Sequence, residues 1–343
     1  MSDLISKANK SEPQSTNEYT AITDNVLVEN TKIEFDLYLR TISGGPKYIL
    51  FCRGNEKFSS ERKKELLKKK EKRLYISTKD VNKYLEYQEK NLSNIIKDKN
   101  KSSIEKSTAV YQTAQVLTKD LMESPRSGVN ISRASTWVSN TISHILNDVN
   151  TFSSLLRVTS HDYHTYTHSI NMAVMGLIFG KHLSLKPHDL DCLGIGLLLH
   201  DIGKVAVSLN IINKPSYLTD GEFDVIKRHP KAGLDFLEHN EKVDGQSLKI
   251  VIQHHENHDG TGYPYGIAGN DIHLFGSIAR IIDIYDAMTT KNPYSHEKSP
   301  YTALAEMKKK MPNCFHEELF KEFIYFLGPK RSRKKRVLIT LNT

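Results

Sequence analysis

Apolar and polar residues alternate near the N-terminus in a pattern typical of β-structure. In the segment 32–40, every second residue from Ile33 to Leu39 is apolar, which predicts a strand with one buried face. A Gly-Gly-Pro turn and a second apolar segment follow, so the two strands should form a hairpin. A lysine-rich helix and a third strand complete a small α+β module. In order, the predicted elements after the first strand are the turn 43–46, the strand 47–54, the helix 61–73 and the strand 73–77.

From residue 80 onward the apolar positions recur at helical spacing. An imperfect apolar stripe predicts an almost wholly helical stretch over 80–123, which Pro125 and Gly128 end. This stretch could pack on its own chain as a connecting helix or form a dimer. Its heptads are too irregular to choose between these alternatives. Helical patterns also dominate from 131 to 327, so the sequence predicts a mainly α protein.

The chain is predicted to have five parts. A polar, disordered N-terminus is followed by the small α+β module, for which a regulatory role is the default, and then by a helical linker or dimerisation region. A larger helical domain and a basic C-terminal tail complete the chain. The predicted limits of these parts are 1–18, 19–90, 91–145, 146–328 and 329–343.

Composition and charge exclude several classes of protein. Hydrophobic residues make up 38% and charged residues 26% of the chain, which is ordinary for a globular protein. Cys52, Cys192 and Cys314 show no paired spacing, which argues against a disulfide framework or a cysteine-based zinc site. The N-terminus lacks the apolar segment of a secretory signal, and no apolar run reaches the roughly 18–20 residues that span a bilayer. We therefore expect a cytoplasmic protein without membrane contact.

The net charge of +8 is concentrated in two basic segments. One is the predicted helix 61–73, whose lysines are expected to form a solvated face. The other is 329–336, which could contact a polyanion but is better explained as a solvated tail. Neither segment has interleaved aromatic residues or a recognisable nucleic-acid module, so binding to a nucleic-acid polymer is not expected.

Histidines are concentrated in one segment that makes up about 40% of the chain. Thirteen of the 15 lie between His161 and His296. Neutral imidazole is a common ligand of transition metals, and carboxylates can bridge two ions. The histidine clusters, together with one acidic segment, are 161–169, 197–204, 227–230, 254–264 and 279–289. They predict a metal site.

Two of these clusters have a local physical interpretation. An apolar helix is expected to present His200 and Asp201 at its C-terminal end, where Gly203 can stop it. Adjacent helical residues point about 100° apart, which suits a metal near the helix end. Asp283 lies within an isoleucine-rich segment, where an unpaired buried carboxylate would be costly. It is expected either to bind a metal or a cation, or to face outward.

The segments LLLHDIGK, RHP, HHENHDGTGYP and IIDIYDAMT closely resemble the HD-GYP subgroup of the HD-domain phosphohydrolases. The resemblance covers residues 160–327 and has the family's order of motifs. It implies an all-helical HD-type catalytic domain behind the α+β module and the connecting helix. It also implies a phosphodiesterase that hydrolyses cyclic di-GMP to pGpG, GMP or both, through a hydroxide that bridges two metal ions.

The resemblance also implies the residues of the site. Asp201 would bridge the metals, and the adjacent His254 and His255 would each serve a different ion. Two or three divalent ions, iron or manganese, would be bound. The implied metal ligands are His168, His200, Asp201, His229, His254, His255 and Asp283.

The implied substrate contacts follow from the same motifs. Lys204 would bind the phosphate and steady charge on the leaving oxygen, and so would share the catalytic role with Asp201. Gly262, Tyr263 and Pro264 would form a substrate-facing loop. A homodimer and signalling-protein partners are further candidate interactions of the chain.

The chain departs from the family pattern at two places. A glutamate expected four residues before the first ligand is replaced by His164, which either binds a third metal or has no ligand role. Expected basic residues after Asp283 are replaced by Asn292 and Ser295, for which Lys291 or His296 could compensate. Cyclic di-GMP, which the resemblance implies, is the first candidate substrate. A cyclic GMP-AMP phosphodiesterase and a cyclic di-GMP receptor without turnover are the alternatives.

Overall fold

The computed structural model describes residues 18–23, 27–41, 47–68, 73–148, 150–158, 165–214, 216–290 and 297–328. The chain forms two compact units, residues 1–101 and 102–343. The predicted tail 329–343 and all but the last residue of the predicted disordered segment 1–18 lie outside the described residues. The predicted domain limits remain a prediction.

The first unit contains a four-stranded antiparallel sheet with the strand order β1-β4-β2-β3. A 3-10 turn, Thr78–Asp80, connects the last strand to a long helix. The strands are β1 (Tyr19–Thr23), β2 (Leu37–Thr41), β3 (Lys47–Cys52) and β4 (Arg73–Ser77), and the helices are α1 (Ser60–Lys68) and α2 (Val81–Lys97).

The predicted hairpin is confirmed, since β2 pairs with β3 and Leu39 lies opposite Ile49. The predicted first strand is too long at its start. Ile33 and Phe35 are fully buried, as the alternation predicts, but the chain there forms only an isolated bridge from Lys32 to Lys57. The sequence analysis missed β1, and the predicted turn 43–46 lies outside the described residues.

The second unit is helical within its described residues, and the predicted mainly α class is confirmed. Its helices are α3 (Ser103–Glu123), α4 (Gly128–Asn147), α5 (Thr151–Val158), α6 (Thr165–His182), α7 (Pro187–Leu199), α8 (Leu209–Ile212), α9 (Asp220–Ile226), α10 (His229–Leu237), α11 (Gly245–Gln253), α12 (Leu274–Thr289), α13 (Pro300–Lys310) and α14 (Glu317–Leu327). Two 3-10 turns, Ile202–Ala206 and Gly269–Asp271, lie between helices. No helix among the described residues is long and apolar enough to cross a membrane.

The predicted helical stretch 80–123 is two helices, α2 and α3. Ser102 and Glu105 form a capping box, in which each side chain binds the other residue's backbone N–H. Such reciprocal capping satisfies free donors and begins a new helix. The interruption therefore has a local cause that the apolar spacing does not reveal.

Helices α7 and α11 run parallel and bring their C-terminal ends together. The Ser247 hydroxyl donates to the Cys192 carbonyl near the two N-termini. One turn further along, a Cβ on Gly196 would lie 2.4 Å from the Ile250 side chain, so the helices approach closely there. His200 and His254 follow in the same register, each directly after the last residue of its helix.

Candidate metal centre and adjoining pocket

Each predicted ligand in the described part of the chain lies on or beside a helix of the second unit. His200 and His254 end α7 and α11, and His229 begins α10. His168 and Asp283 lie within α6 and α12. A site built at helix ends and on packed helices holds its side chains in fixed positions.

The ligand atoms form two groups, and within each group they lie within 4.8 Å of one another. The first group is His168, His200 and Asp283. The second group is Asp201, His229, His254 and His255. The seven implied ligands are therefore brought together. His254 and His255 belong to the same group, although Nδ1 of His255 is also 3.6 Å from Asp283. Their assignment to different ions remains a prediction.

Asp201 joins the two groups. Its Oδ2 is 3.4 Å from Nε2 of His200 and 3.9 Å from Nε2 of His168. Its Oδ1 is 3.3 Å from Nε2 of His229 and 3.8 Å from Nε2 of His254. One oxygen thus faces each group, as a carboxylate that bridges two ions must.

Hydrogen bonds fix which ring nitrogens can bind a metal. Nδ1 of His200 donates to Leu197 O at 2.7 Å, and Nδ1 of His229 donates to Ile226 O at 2.8 Å. Nδ1 of His254 faces the α11 carbonyls in the same way. A carbonyl oxygen only accepts, so Nδ1 carries the proton and Nε2 presents a lone pair.

These lone pairs face one another. Nε2 of His229 is 3.1 Å from Nε2 of His254, and Nε2 of His200 is 3.2 Å from Nε2 of His168. Nδ1 of His168 lies 2.7 Å from the Asp286 carboxylate and can donate to it, so in the neutral ring Nε2 is the nitrogen without a proton. Within each pair, two facing nitrogens without a proton between them repel each other unless a cation lies nearby. The donor set therefore fits two metal ions.

The protonation states agree with this fit. Burial, reinforced by the neighbouring histidines, lowers the pKa of His254 well below its usual value, so the ring is neutral. Burial and Arg280 have the same effect on the pKa of His255, although Asp283 opposes it. Burial alone would raise the pKa of Asp201, but Lys204 and His200 outweigh it and hold that pKa well below its usual value. Asp201 Oδ1 is buried and accepts no hydrogen bond from the described residues.

Asp286 was missed by the sequence analysis. It lies three residues after Asp283 on α12, so both carboxylates reach the same side of the helix, where they contact His168. Asn171 and Thr290 donate to its other oxygen at 3.0 and 3.2 Å. A carboxylate fixed in this way orients the His168 ring. The i, i+3 spacing of the two aspartates was the available signal.

The loop after His255 folds back on it. The Tyr263 N–H donates to His255 O at 3.2 Å, and the Tyr263 ring stacks on the His255 ring with centroids 4.6 Å apart. A Cβ on Gly262 would lie 2.3 Å from Asn257 N and 2.5 Å from His255 O, so only glycine fits there. The Tyr263–Pro264 peptide bond is cis. The loop thus covers one side of the metal centre.

A pocket of about 340 Å³ adjoins the metal centre at His255. Its lining residues come from the loop, from α9 and its C-terminal end, and from α12. They are Phe223, Lys227, His255, Asn257, Thr261, Gly262, Tyr263 and Arg280. Gly262 and Tyr263 line this pocket, whereas Pro264 follows them in the loop without lining it, and the contact of all three with substrate remains a prediction. Lys204 contacts Asp201 at 2.6 Å instead.

Arg280 was also missed by the sequence analysis. Its Nε donates to Asn257 Oδ1 at 2.9 Å, and its Nη1 is 3.6 Å from Asp283 Oδ2. It lies one turn before Asp283 on α12, so helical spacing from a predicted ligand could have identified it. Arg280 and Lys227 supply positive charge to the pocket.

The remaining predicted positions lie outside the described residues. These positions are His164, Lys291, Asn292, Ser295 and His296. The alternatives stated for them remain predictions.

Residues 142–317, just over half of the chain, match the family model described as HD domain. A cyclic di-GMP phosphodiesterase from Pseudomonas aeruginosa is 33% identical over 200 residues, which cover 58% of this chain and 48% of that protein. A 3'3'-cGAMP-specific phosphodiesterase from Vibrio cholerae is 32% identical over 157 residues, which cover 46% of this chain and 34% of that protein. The matches thus span half or less of these relatives.

A solved structure supports the fold. Bd1817, described as an HDG"Y"P protein from Bdellovibrio bacteriovorus, superposes with a TM-score of 0.63, covering 90% of this chain and 99% of its own. The sequence identity is 20%, so this comparison supports the fold alone. With the family match, the arranged ligands and the HHENHDGTGYP motif, the chain belongs to the HD domain family and to its HD-GYP group.

Proposed function

We propose that this protein is a metal-dependent phosphodiesterase that hydrolyses cyclic di-GMP to pGpG, GMP or both. The observation that supports this proposal most directly is the pair of facing Nε2 atoms on each side of Asp201. These nitrogens fit two cations about a shared carboxylate, and the pocket beside them has room for part of a nucleotide.

The proposed ions would be held by the two groups that Asp201 joins. Iron or manganese suits imidazole with carboxylate, and a third ion would require a further ligand such as His164. When bound, such ions supply Lewis-acid activation of water and neutralise charge on the phosphoryl oxygens. The number and identity of the ions are part of the proposal.

Lys204 is proposed to act on the phosphate. Its ammonium group is partly exposed, whereas the Asp201 carboxylate beneath it is almost fully buried. A cation at the mouth of a buried anionic site can donate to a phosphate oxygen and stabilise charge on the leaving oxygen. In the same position it keeps Asp201 ionised, which a metal ligand requires.

The pocket is proposed to hold one nucleotide half of the substrate. Its volume is at the small end of the range for small-molecule sites. Tyr263 and Phe223 offer aromatic faces whose centroids are 6.2 Å apart, and Lys227 and Arg280 offer positive charge for a phosphate. These cations lie in the described part of the chain and could take the role of the basic residues that the family pattern expects after Asp283.

A second candidate substrate is 3'3'-cGAMP. Three of the similar Vibrio cholerae proteins carry that specificity in their names, at 32–38% identity over their matched regions. The two substrates differ in one base, so discrimination would depend on groups around the pocket. Homodimerisation and binding of signalling proteins remain part of the proposal.

The experiment is a direct turnover assay of the full chain. Purified protein is given cyclic di-GMP and 3'3'-cGAMP in parallel, and the linear products are separated chromatographically. We expect faster turnover of cyclic di-GMP. Faster turnover of 3'3'-cGAMP would replace the first substrate by the second. Tight binding without turnover in protein whose two metal groups are loaded would support the receptor alternative and contradict the proposed enzyme.

A further inference from the structure

A second cluster of metal-binding side chains lies at the far ends of α7 and α11 from the metal centre. His188 and Cys192 are one helical turn apart on α7, and Asp244 directly precedes α11. Their ligand atoms lie within 4.8 Å of one another. We infer that these three residues bind one divalent transition-metal ion of the zinc class, and that this ion fastens the start of α7 to the start of α11.

The distances suit a tetrahedral ion. Sγ of Cys192 is 3.6 Å from Nε2 of His188, and that nitrogen is 3.8 Å from Oδ2 of Asp244. With Zn–S near 2.3 Å and Zn–N near 2.0–2.1 Å, tetrahedral donors lie about 3.5 Å apart. Only small movements of two surface side chains would therefore be needed to close the site.

The exposure of the three side chains provides an entry path. The side chains of His188 and Asp244 are 67% and 41% exposed, whereas Cys192 is only 2% exposed. The thiol forms the floor of the cluster, and the other two donors stand at the surface above it. An ion can thus enter from solvent, and a water molecule can complete its coordination.

The chemistry of the donors selects the class of ion. A thiolate with imidazole and carboxylate suits zinc or cobalt, whereas magnesium and calcium prefer all-oxygen sites. Burial, and after it the negative charge of Asp244, Asp189 and Asp191, raises the pKa of the Cys192 thiol, so the thiol is protonated until an ion binds. As the sulfur–metal bond forms, the S–H bond breaks and its proton leaves to solvent, because a coordinating thiol is deprotonated. The sequence argued against a cysteine-based zinc site because the cysteines show no paired spacing, and these three residues share no motif.

The position of the cluster suggests what the ion does. Helices α7 and α11 run parallel in fixed register, and their other ends carry His200 and His254. His188 lies about 18 Å from His200 along the helix axis, at 1.5 Å per residue. An ion at the N-terminal ends would keep the two helices from sliding past one another. Sliding would separate the ligands at the C-terminal ends.

The test uses cobalt as a spectroscopic probe. Metal-stripped full-length protein is titrated with Co²⁺, and the near-ultraviolet thiolate-to-cobalt charge-transfer band is recorded. No cysteine is among the ligands of the metal centre in the described part of the chain, so cobalt bound there gives no thiolate band. We expect a band whose final intensity corresponds to one thiolate-bound cobalt ion per chain, in addition to the cobalt that the metal centre takes up, and that is absent in Cys192→Ser.

Two further variants test the other ligands without disturbing the core. His188→Ala removes an exposed side chain, and Asp244→Asn keeps an oxygen for the Gln246 N–H that it caps. Each should weaken cobalt binding by at least ~10-fold, because loss of a direct ligand costs no less than loss of its outer support. Cys314→Ser and His239→Ala are the matched controls and should leave the band unchanged.

The cobalt titrations either support the proposed site or overturn it. No band in the wild type, or a band that persists in Cys192→Ser, would overturn the proposal. Unchanged cobalt affinity in both His188→Ala and Asp244→Asn would show that a lone thiol binds the ion, and would overturn it as well. None of these results depends on catalytic activity.

Discussion

Gly203 connects the packing of the second unit to the metal centre, and its replacement by alanine gives the sharpest prediction. A Cβ at this position would lie 1.9 Å from His229 O and 2.5 Å from Gly233 N. Both contacts are backbone atoms of α10, so no side-chain rotation can relieve them. Ordinary contact begins at 3.4 Å, so the start of α10 would have to retreat by about 1.5 Å.

That movement would carry His229 away from Asp201. Their ligand atoms are 3.3 Å apart, and a metal ligand must be held within a few tenths of an ångström. We therefore expect Gly203→Ala to lose one metal ion or to bind it at least ~10-fold more weakly, because even the loss of outer support for a ligand costs about 10- to 100-fold in metal affinity. Overpacking should also lower the free energy of unfolding by about 1–3 kcal/mol.

The assay is metal content after dialysis, measured by mass spectrometry, together with chemical unfolding in chelator. Chelator removes the contribution of the bound ions, so the two effects are measured separately. Gly221→Ala is the matched control, because a Cβ there meets nothing within 4 Å. It should keep its metals and its stability. Wild-type metal affinity in Gly203→Ala would refute the reasoning.

Three further predictions concern the charged groups of the centre. Asp201→Ala should abolish turnover and lower bound metal, because one oxygen of Asp201 faces each ligand group. Asp191→Asn, on the helix that precedes Asp201, is its control, and full metal content with near-normal turnover in Asp201→Ala would contradict the assignment. Lys204→Ala should keep its metals but lose about 10²–10³-fold in kcat, as is typical when one hydrogen-bond donor to a developing anion is removed. An unchanged kcat would exclude Lys204 from stabilising charge on the phosphate. Asp286→Asn should lower metal affinity about 10- to 100-fold at unchanged stoichiometry, because the Asp286 carboxylate orients the His168 ring. Unaltered metal affinity would show that His168 does not need this carboxylate.

The seven predicted ligands could be chosen from the sequence because motif residues mark them even where they are far apart in the chain. Asp286 and Arg280 were missed because their roles depend on which side of α12 faces the centre. An isolated apolar pattern does not reveal that side. Their spacing from Asp283 becomes informative only once Asp283 is assigned.

The fold, like the site, could be predicted only in part from the sequence. Burial of Ile33 and Phe35 followed from alternation, but the length of the strand depends on pairing partners that alternation cannot specify. Strand β1 was missed because Tyr19–Thr23 is short and its pairing partner β4 lies over 50 residues away. The capping box at Ser102 was legible as Ser-x-x-Glu, yet the continuous apolar stripe dominated the interpretation.

The parallel arrangement of α7 and α11 has an electrostatic consequence. The peptide dipoles of a helix sum to about half a negative charge at its C-terminal end. Two such ends meet where His200 and His254 stand, beside the ionised Asp201 and Asp283. The main chain thus adds to a potential that attracts cations and repels anions. An anionic nucleotide should therefore approach this end of the helices only after cations have reversed the sign of that potential, so the main chain helps to set the order in which metal and nucleotide bind.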